Sequence, residues 1–211
     1  MEKIIRCIIL LVGLVIAHFG VTLYLLVDMG ADPFNVLVQG IFRTVSSVEN
    51  FQWVTHGNVH IVMCLLIIAI LLVVERSYVK IGTILCMVFG GPIIDFFTMI
   101  VGPFFQGTRT LWLNIVIEVL ACVILAIGMS IVIKSDAGTG PNDLVAIVIS
   151  DKTKFRFSIV RVCTDIFFVI VGAFLGGIWG IGTFICACLV GPVAGFFLPY
   201  SEKLVIRIVN K

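Results

Sequence analysis

The chain has 211 residues, 61% of them hydrophobic and 12% charged, with a mean hydropathy of +1.23 and a formal net charge of +2. A soluble domain carries roughly 25% charged residues, so the composition excludes a soluble globular protein and indicates a polytopic membrane protein. The near-neutral balance excludes a nucleic-acid-binding chain, and the length leaves no room for a separate soluble domain. In chain order, the first apolar segment covers 5–27. It is too long for a secretory leader and lacks a clear small-residue cleavage site, so it is read as a span. A shorter, partly apolar stretch at 33–48 opens on Pro33, a helix start. Segments over 59–74 and 81–101 complete a first half, 1–105. A connection containing Pro103 and Gly107 leads to a second half, 106–211, with spans over 111–133, 158–176 and 182–200. Between the first two of these lies a short helix over 141–150 that opens on Pro141. Segments near or above about 18 apolar residues cross a bilayer as helices. The two short helices do not reach that length and are expected to be re-entrant or to lie at the membrane edge.

The two halves repeat one another. Asp28, Gly30 and Pro33 recur in register as Asp136, Gly138 and Pro141, and Gly82-Thr83, Gly91-Pro92 and Phe96-Phe97 recur as Gly182-Thr183, Gly191-Pro192 and Phe196-Phe197. Such internal repetition in an apolar chain is the mark of transporter folds. With the N-terminus in the cytoplasm and six crossings, twelve Lys and Arg residues fall on the cytoplasmic side. Only Arg43 and Arg109 fall on the other, which agrees with the positive-inside rule. Three crossings per half is an odd number, so the halves are inverted relative to each other. The expected fold is therefore all-α, with six transmembrane helices as two inverted three-helix repeats, each carrying one short helix.

Several residues could carry chemistry. A turn followed by a helix start exposes backbone N–H groups that favour an anion or a substrate carboxylate. Asp28, Gly30, Pro33, Asn35, Asp136, Gly138, Pro141, Asn142 and Asp143 are therefore candidate substrate-binding elements, with helix capping as the alternative for Asn35, Asn142 and Asp143. Gly91-Pro92 and Gly191-Pro192 are read as matched breaks in two helices around a central cavity, or as kinks that only pack. Thr183 starts the last span and Asp95 follows the first break by three residues; both join the binding candidates. Ionisable groups inside spans are costly and default to function, so Glu118 and His18 are candidates for proton coupling. Asp165 lies four residues after Arg161, a spacing that forms an ion pair on one helix face. The paired phenylalanines are read as packing or lipid-facing groups, with a gating role as the alternative. The seven cysteines show neither a disulfide framework nor a metal spacing and are read as small packing residues. There is no nucleophile elbow, paired-histidine metal motif or phosphate loop, so no enzyme activity, metal or cofactor is expected.

The Asp-x-Gly-x-x-Pro turn, the Ile181-Gly182-Thr183 start and the Gly191-Pro192 break resemble the YczE/YyaS-like bacterial inner-membrane proteins, near the broader YitT-like group. The likeness covers most of the chain. It is clearest at 136–143 and 176–183 and departs at Phe34-Asn35 and in the 49–57 loop. It implies a multi-pass protein of the bacterial plasma membrane and supplies no substrate. The leading functional expectation is a secondary transporter of a small polar or amphipathic molecule, working by alternating access. Its partners would be that substrate and the lipid bilayer, with a homodimer left open. The alternative is a non-transporting accessory or assembly protein, which has no need of matched features in both halves.

Overall fold

A computed structural model describes residues 2–48, 53–107, 109–155 and 157–209. These form eight α-helices: α1 Glu2–Val27, α2 Pro33–Ser46, α3 His56–Glu75, α4 Ile81–Val101, α5 Leu111–Lys134, α6 Pro141–Thr153, α7 Phe157–Phe174 and α8 Ile181–Val209. Short 3₁₀ turns at Arg76–Tyr78 and Gly102–Phe105 follow α3 and α4, and no strand occurs among the described residues. Five helices, α1, α3, α4, α5 and α8, are long and apolar enough to cross a membrane. The protein is a multi-pass membrane protein. Its outer surface fits that setting, because residues such as Val73 and Phe174, 89% and 88% exposed, need an apolar surround.

The helices follow the segments expected from sequence, with shifted ends. The largest difference is α8, which continues to Val209 rather than stopping near residue 200. Its added turns are held by α5, where Ser201 Oγ lies 2.7 Å from Ser130 Oγ and Lys134 pairs with Glu202 at 2.7 Å. α3 begins earlier than residue 59, at His56, because Thr55 caps it by accepting from Asn58 N at 3.1 Å. Arg161, counted by sequence among the cytoplasmic charges, instead lies inside α7.

Small residues set the central packing. A Cβ on Gly13 would lie 2.9 Å from Gly128 O, and one on Gly20 would lie 2.7 Å from Ala121 O. These contacts make α1 and α5 an antiparallel pair whose backbones touch, the use to which membrane helices put glycine. α4 flanks α1 and α8 flanks α5, while α2 packs on α7 and α6 packs on both α3 and α7. Each half therefore sends its short helix against a long helix of the other half.

Both described termini lie at one end of the bundle, where Arg6 of α1, Lys134 of α5 and Val209 of α8 line a cavity of about 320 Å³; we call this the terminal end. The short helices run outward from the interior. At the start of α2 the Phe34 ring meets Phe168 and His60, with centroids 5.7 and 5.5 Å apart, whereas Arg43 near its last turn pairs with Asp28 at the far end. At the start of α6 Asp143 meets Arg161, and near its last turn Asp151 accepts from Tyr78 at the terminal end, at 2.5 Å.

The expected helix breaks do not form. α4 runs unbroken through Pro92, and α8 through Pro192 and Pro199. The buried Gly90 and Gly91 take the close contacts, and a Cβ on Gly91 would lie 2.3 Å from Gly57 O. Pro92 is thereby turned to the exposed side, where its ring disturbs no packing. Gly191 and Pro192 are also exposed, and a Cβ on Gly191 would meet nothing within 4 Å.

Candidate functional site at the tips of the short helices

The repeated turns form two matched seams. After α1, Asp28 has φ +60° and Gly30 φ +115°; after α5, Asp136 has φ +57° and Gly138 φ +147°. This left-handed backbone suits glycine and is tolerated by Asp, and it turns the chain back into the bundle. Gly182 N donates to Met29 O at 3.0 Å, and Gly82 N donates to Ala137 O at 2.9 Å. The turn of each half thus docks on the first turn of the last helix of the other half. A Cβ on Gly182 would lie 2.4 Å from Gly30 O, and one on Gly82 would lie 2.6 Å from Ala137 O.

The acids of these turns face away from each other. Asp28 pairs with Arg43 at 2.9 Å at the far end, and Asp136 pairs with Lys80 at 3.2 Å at the terminal end. The two motifs do not form one site: Asp28 and Gly30 belong to one seam, Asp136 and Gly138 to the other. Thr183 is part of the far seam, its Oγ1 2.7 Å from a Cβ on Gly30.

Between the seams, the first turns of α2 and α6 border one apolar core, which holds Phe34 and Leu144, and each carries its own polar group. Asp32 caps α2, with Oδ1 accepting from Asn35 N at 3.3 Å and Oδ2 from Asn35 Nδ2 at 2.7 Å. Asn35 Oδ1 is then free to accept from His56 Nε2 at 3.1 Å, which fixes the His56 proton on Nε2. At the tip of α6, Asn142 Nδ2 donates to Asp143 Oδ1 at 3.3 Å. The same oxygen accepts from Arg161 Nη1, while Arg161 Nε donates to Asp165 Oδ2 at 3.0 Å. Two carboxylates, Asp143 and Asp165, therefore share one guanidinium, and Asp165 Oδ1 is buried without a hydrogen-bond partner. The helix starts, expected to attract an anion, already face Asp32 and Asp143, which answer their partial positive charge.

The three histidines of the chain gather beside the α2 tip. The His18 and His60 rings stand edge to face at 5.5 Å, and Phe34 meets His60 at 5.5 Å. His18 Nδ1 lies 3.0 Å from Leu14 O, so the proton sits on Nδ1 and Nε2 is left as an acceptor. Nε2 of His18 and Nε2 of His60 each lie 2.9 Å from a Cβ placed on Gly90, and His60 Nδ1 is buried without a partner. No group of three His, Cys, Asp or Glu among the described residues could hold a metal ion.

Of the sequence candidates, Pro33, Asn35, Pro141, Asn142 and Asp143 come together at the tips, with His18 next to them. Gly91, Pro92, Gly191 and Pro192 do not reach them. Asp95 instead serves α3, accepting from Gly57 N at 3.0 Å and from Thr55 Oγ1 at 2.6 Å. Glu118 is fully buried in the far seam, with both carboxylate oxygens unpartnered and Oε2 2.5 Å from a Cβ on Gly182. The residue 108 positions earlier is Leu10, which stands against Gly82 in the other seam at the same 2.5 Å. Sequence reasoning missed Asp32, His56 and His60 and underrated Arg161. Asp32 was legible, as an Asp directly before a helix-starting Pro is a cap signal; the Arg161–Asp143 pairing has no such signal.

Residues 4–199 match the model of a family of unknown function, DUF6198. The chain belongs to the DUF6198 family. Relatives of this DUF6198 chain include the "Uncharacterized membrane protein YczE" of Bacillus subtilis (strain 168), 28% identical over 96% of this chain and 90% of that protein. The "Uncharacterized protein YyaS" of the same organism is 23% identical over 91% and 92% of the two chains. An uncharacterized protein of Haemophilus influenzae is 26% identical over 93% and 84%. The YczE/YyaS-like resemblance read from the turns is thus borne out. No solved structure matches. The DUF6198 match takes in both seams, both short-helix tips and Arg161.

Proposed function

We propose that the chain is a secondary transporter of a small polar or amphipathic molecule in the bacterial plasma membrane, working by alternating access between two inverted repeats. In this reading α1, α3, α4, α5, α7 and α8 cross the bilayer, both termini are cytoplasmic, and α2 and α6 are re-entrant. Relatives in two bacteria support the setting, and the charge asymmetry supports the orientation even with Arg161 removed from the count. No catalytic step or cofactor enters the reading.

The observation that carries it is the pair of equivalent backbone seams, Gly182 N to Met29 O and Gly82 N to Ala137 O, at opposite ends of the bundle with a charged cluster between them. Opening one seam while the other stays closed would admit water and substrate to the tips of α2 and α6 from one side only. Glu118 in one seam, where the other has Leu10, makes the far seam the one able to respond to a proton, and His18 beside the tips is the second candidate for coupling.

The test needs no assumed driving ion. Thermal-shift screening of the detergent-purified protein against a metabolite library finds a ligand, since binding raises stability by RT ln(1 + [L]/Kd). Counterflow of that ligand in proteoliposomes then follows. We expect uptake that depends on unlabelled ligand inside. A ligand that binds but shows no counterflow under any gradient returns the protein to the accessory reading.

A further inference from the structure

We infer that the ligand of this site is an amphipathic cation, its ammonium group held at the Asp143–Arg161–Asp165 cluster and its apolar part lying in a groove along α7, reached sideways from the bilayer. The word substrate for it rests on the transporter reading; the binding site does not.

α7 carries Arg161, Asp165, Val169 and Ala173 at four-residue steps, and residues so spaced share one helix face. The first two are charged and the next two apolar. The side chains of Arg161 and Asp165 are each 26% exposed, and that of Asp143 is 19% exposed. Yet Asp165 stands near the middle of α7, roughly 12–14 Å from either end at 1.5 Å per residue. A charge exposed at that depth is costly unless it faces protein or a polar guest. The exposure arises from the packing. α3 packs along α4, whereas α7 packs on α2 and α6 and, among the described residues, forms no comparable interface with α8.

The charged stripe runs directly into a cavity of about 430 Å³ lined by Val169, Ile170, Ala173, Phe174 and Trp179. Its volume lies within the range of small-molecule sites, about 300–1,000 Å³, and no lining residue is charged. The sign of the head group follows from the charges beside it. Asp143 and Asp165 share one guanidinium, and the start of α6 adds only about half a positive charge. The balance beside the groove is therefore negative, which favours a cation over an anion. Asp165 Oδ1, buried and unpartnered, is an acceptor suited to an ammonium group, which brings three donors. A charged head and an apolar tail thus match two adjoining parts of one helix face.

The test uses Trp179 as reporter. Trp53→Phe with Trp112→Phe leaves it the single tryptophan, and the protein is held in nanodiscs of zwitterionic lipid. The probe is a decylammonium brominated at its far end, whose bromine quenches tryptophan on contact. Decanol and decanoate brominated in the same way are the comparisons. We expect saturable quenching by the ammonium compound and only linear, partition-type quenching by the other two. Asp165→Asn should weaken the ammonium binding by at least about tenfold through loss of a charge-assisted bond. Ala173→Phe, which fills the groove and leaves every charge in place, should weaken it by at least about fivefold. The inference is overturned if the alcohol saturates equally, if the carboxylate is preferred, or if Ala173→Phe binds like its parent. Should Asp165→Asn not yield a monodisperse protein, Ala173→Phe decides alone. Saturable binding without counterflow ends the transporter reading and leaves this site standing. Counterflow of another ligand beside no saturable binding of the ammonium compound ends this inference alone.

Discussion

Gly182 shows how much a single position decides. A methyl there would meet Gly30 O at 2.4 Å and Glu118 Oε2 at 2.5 Å, and the backbone carbonyl cannot swing aside. Gly191, nine residues on in the same helix, has nothing within 4 Å of its would-be Cβ. Gly182→Ala should therefore lower stability by about 1–3 kcal/mol, the cost of overpacking a fitted contact. Gly191→Ala should be neutral or raise stability by about 0.5–1 kcal/mol, as expected for glycine in a helix interior. Thermal unfolding of both variants in the same detergent checks this, and equal effects would contradict the seam. The sequence made part of this readable. The paired Gly-Thr positions and the paired Asp-x-Gly turns stood out as repeats. It did not tell which turn meets which helix, since Met29 and Gly182 are joined only by the fold. Nor did it tell that Glu118 and Leu10 occupy equivalent places, which became visible once both were seen against their glycines.

At the scale of the element, the short helices were readable and the breaks were misread. Pro33 and Pro141 each follow a chain-reversing turn, and a helix start at both was dictated by local chemistry alone. Whether Pro92 and Pro192 interrupt their helices depends on which way they face. Both face outward on continuous helices, so the missing N–H lies beside lipid-facing surface rather than a cavity. Pro92→Ala and Pro192→Ala should each restore a helix hydrogen bond and raise thermal stability, by at most about 3 kcal/mol. A drop in melting temperature for both would show that the two prolines take part in packing. The Arg161–Asp165 pair was likewise readable from its four-residue step. Its third member, Asp143, belongs to another helix and was singled out for a different reason, its place in the first turn of α6.

For the whole molecule, composition alone indicated a multi-pass helical protein, and the repeated motifs suggested a division into two halves. The interlock between them was not legible: α2 of the first half lies on α7, and α6 of the second on α3. That exchange brings both helix tips into the interior and leaves one seam at each end, the arrangement on which the transporter reading depends. Its most direct test asks from which side the tips are wet. In a background lacking the seven native cysteines, Asn142→Cys reports on the α6 tip through a membrane-impermeant thiol reagent. A second cysteine pair, already cross-linked, locks one end. Thr44→Cys with Leu175→Cys closes the far end, where Thr44 Oγ1 now donates to Leu175 O at 2.8 Å. Tyr78→Cys with Asp151→Cys, a gap spanned by the tyrosine ring and bridged here by a short bifunctional thiol reagent in place of a disulfide, closes the terminal end. The account predicts that the tip is labelled only from the terminal side when the far end is locked, and only from the far side when the terminal end is locked. Labelling whose side does not change with the lock, or that occurs from both sides under either lock, would contradict alternating access.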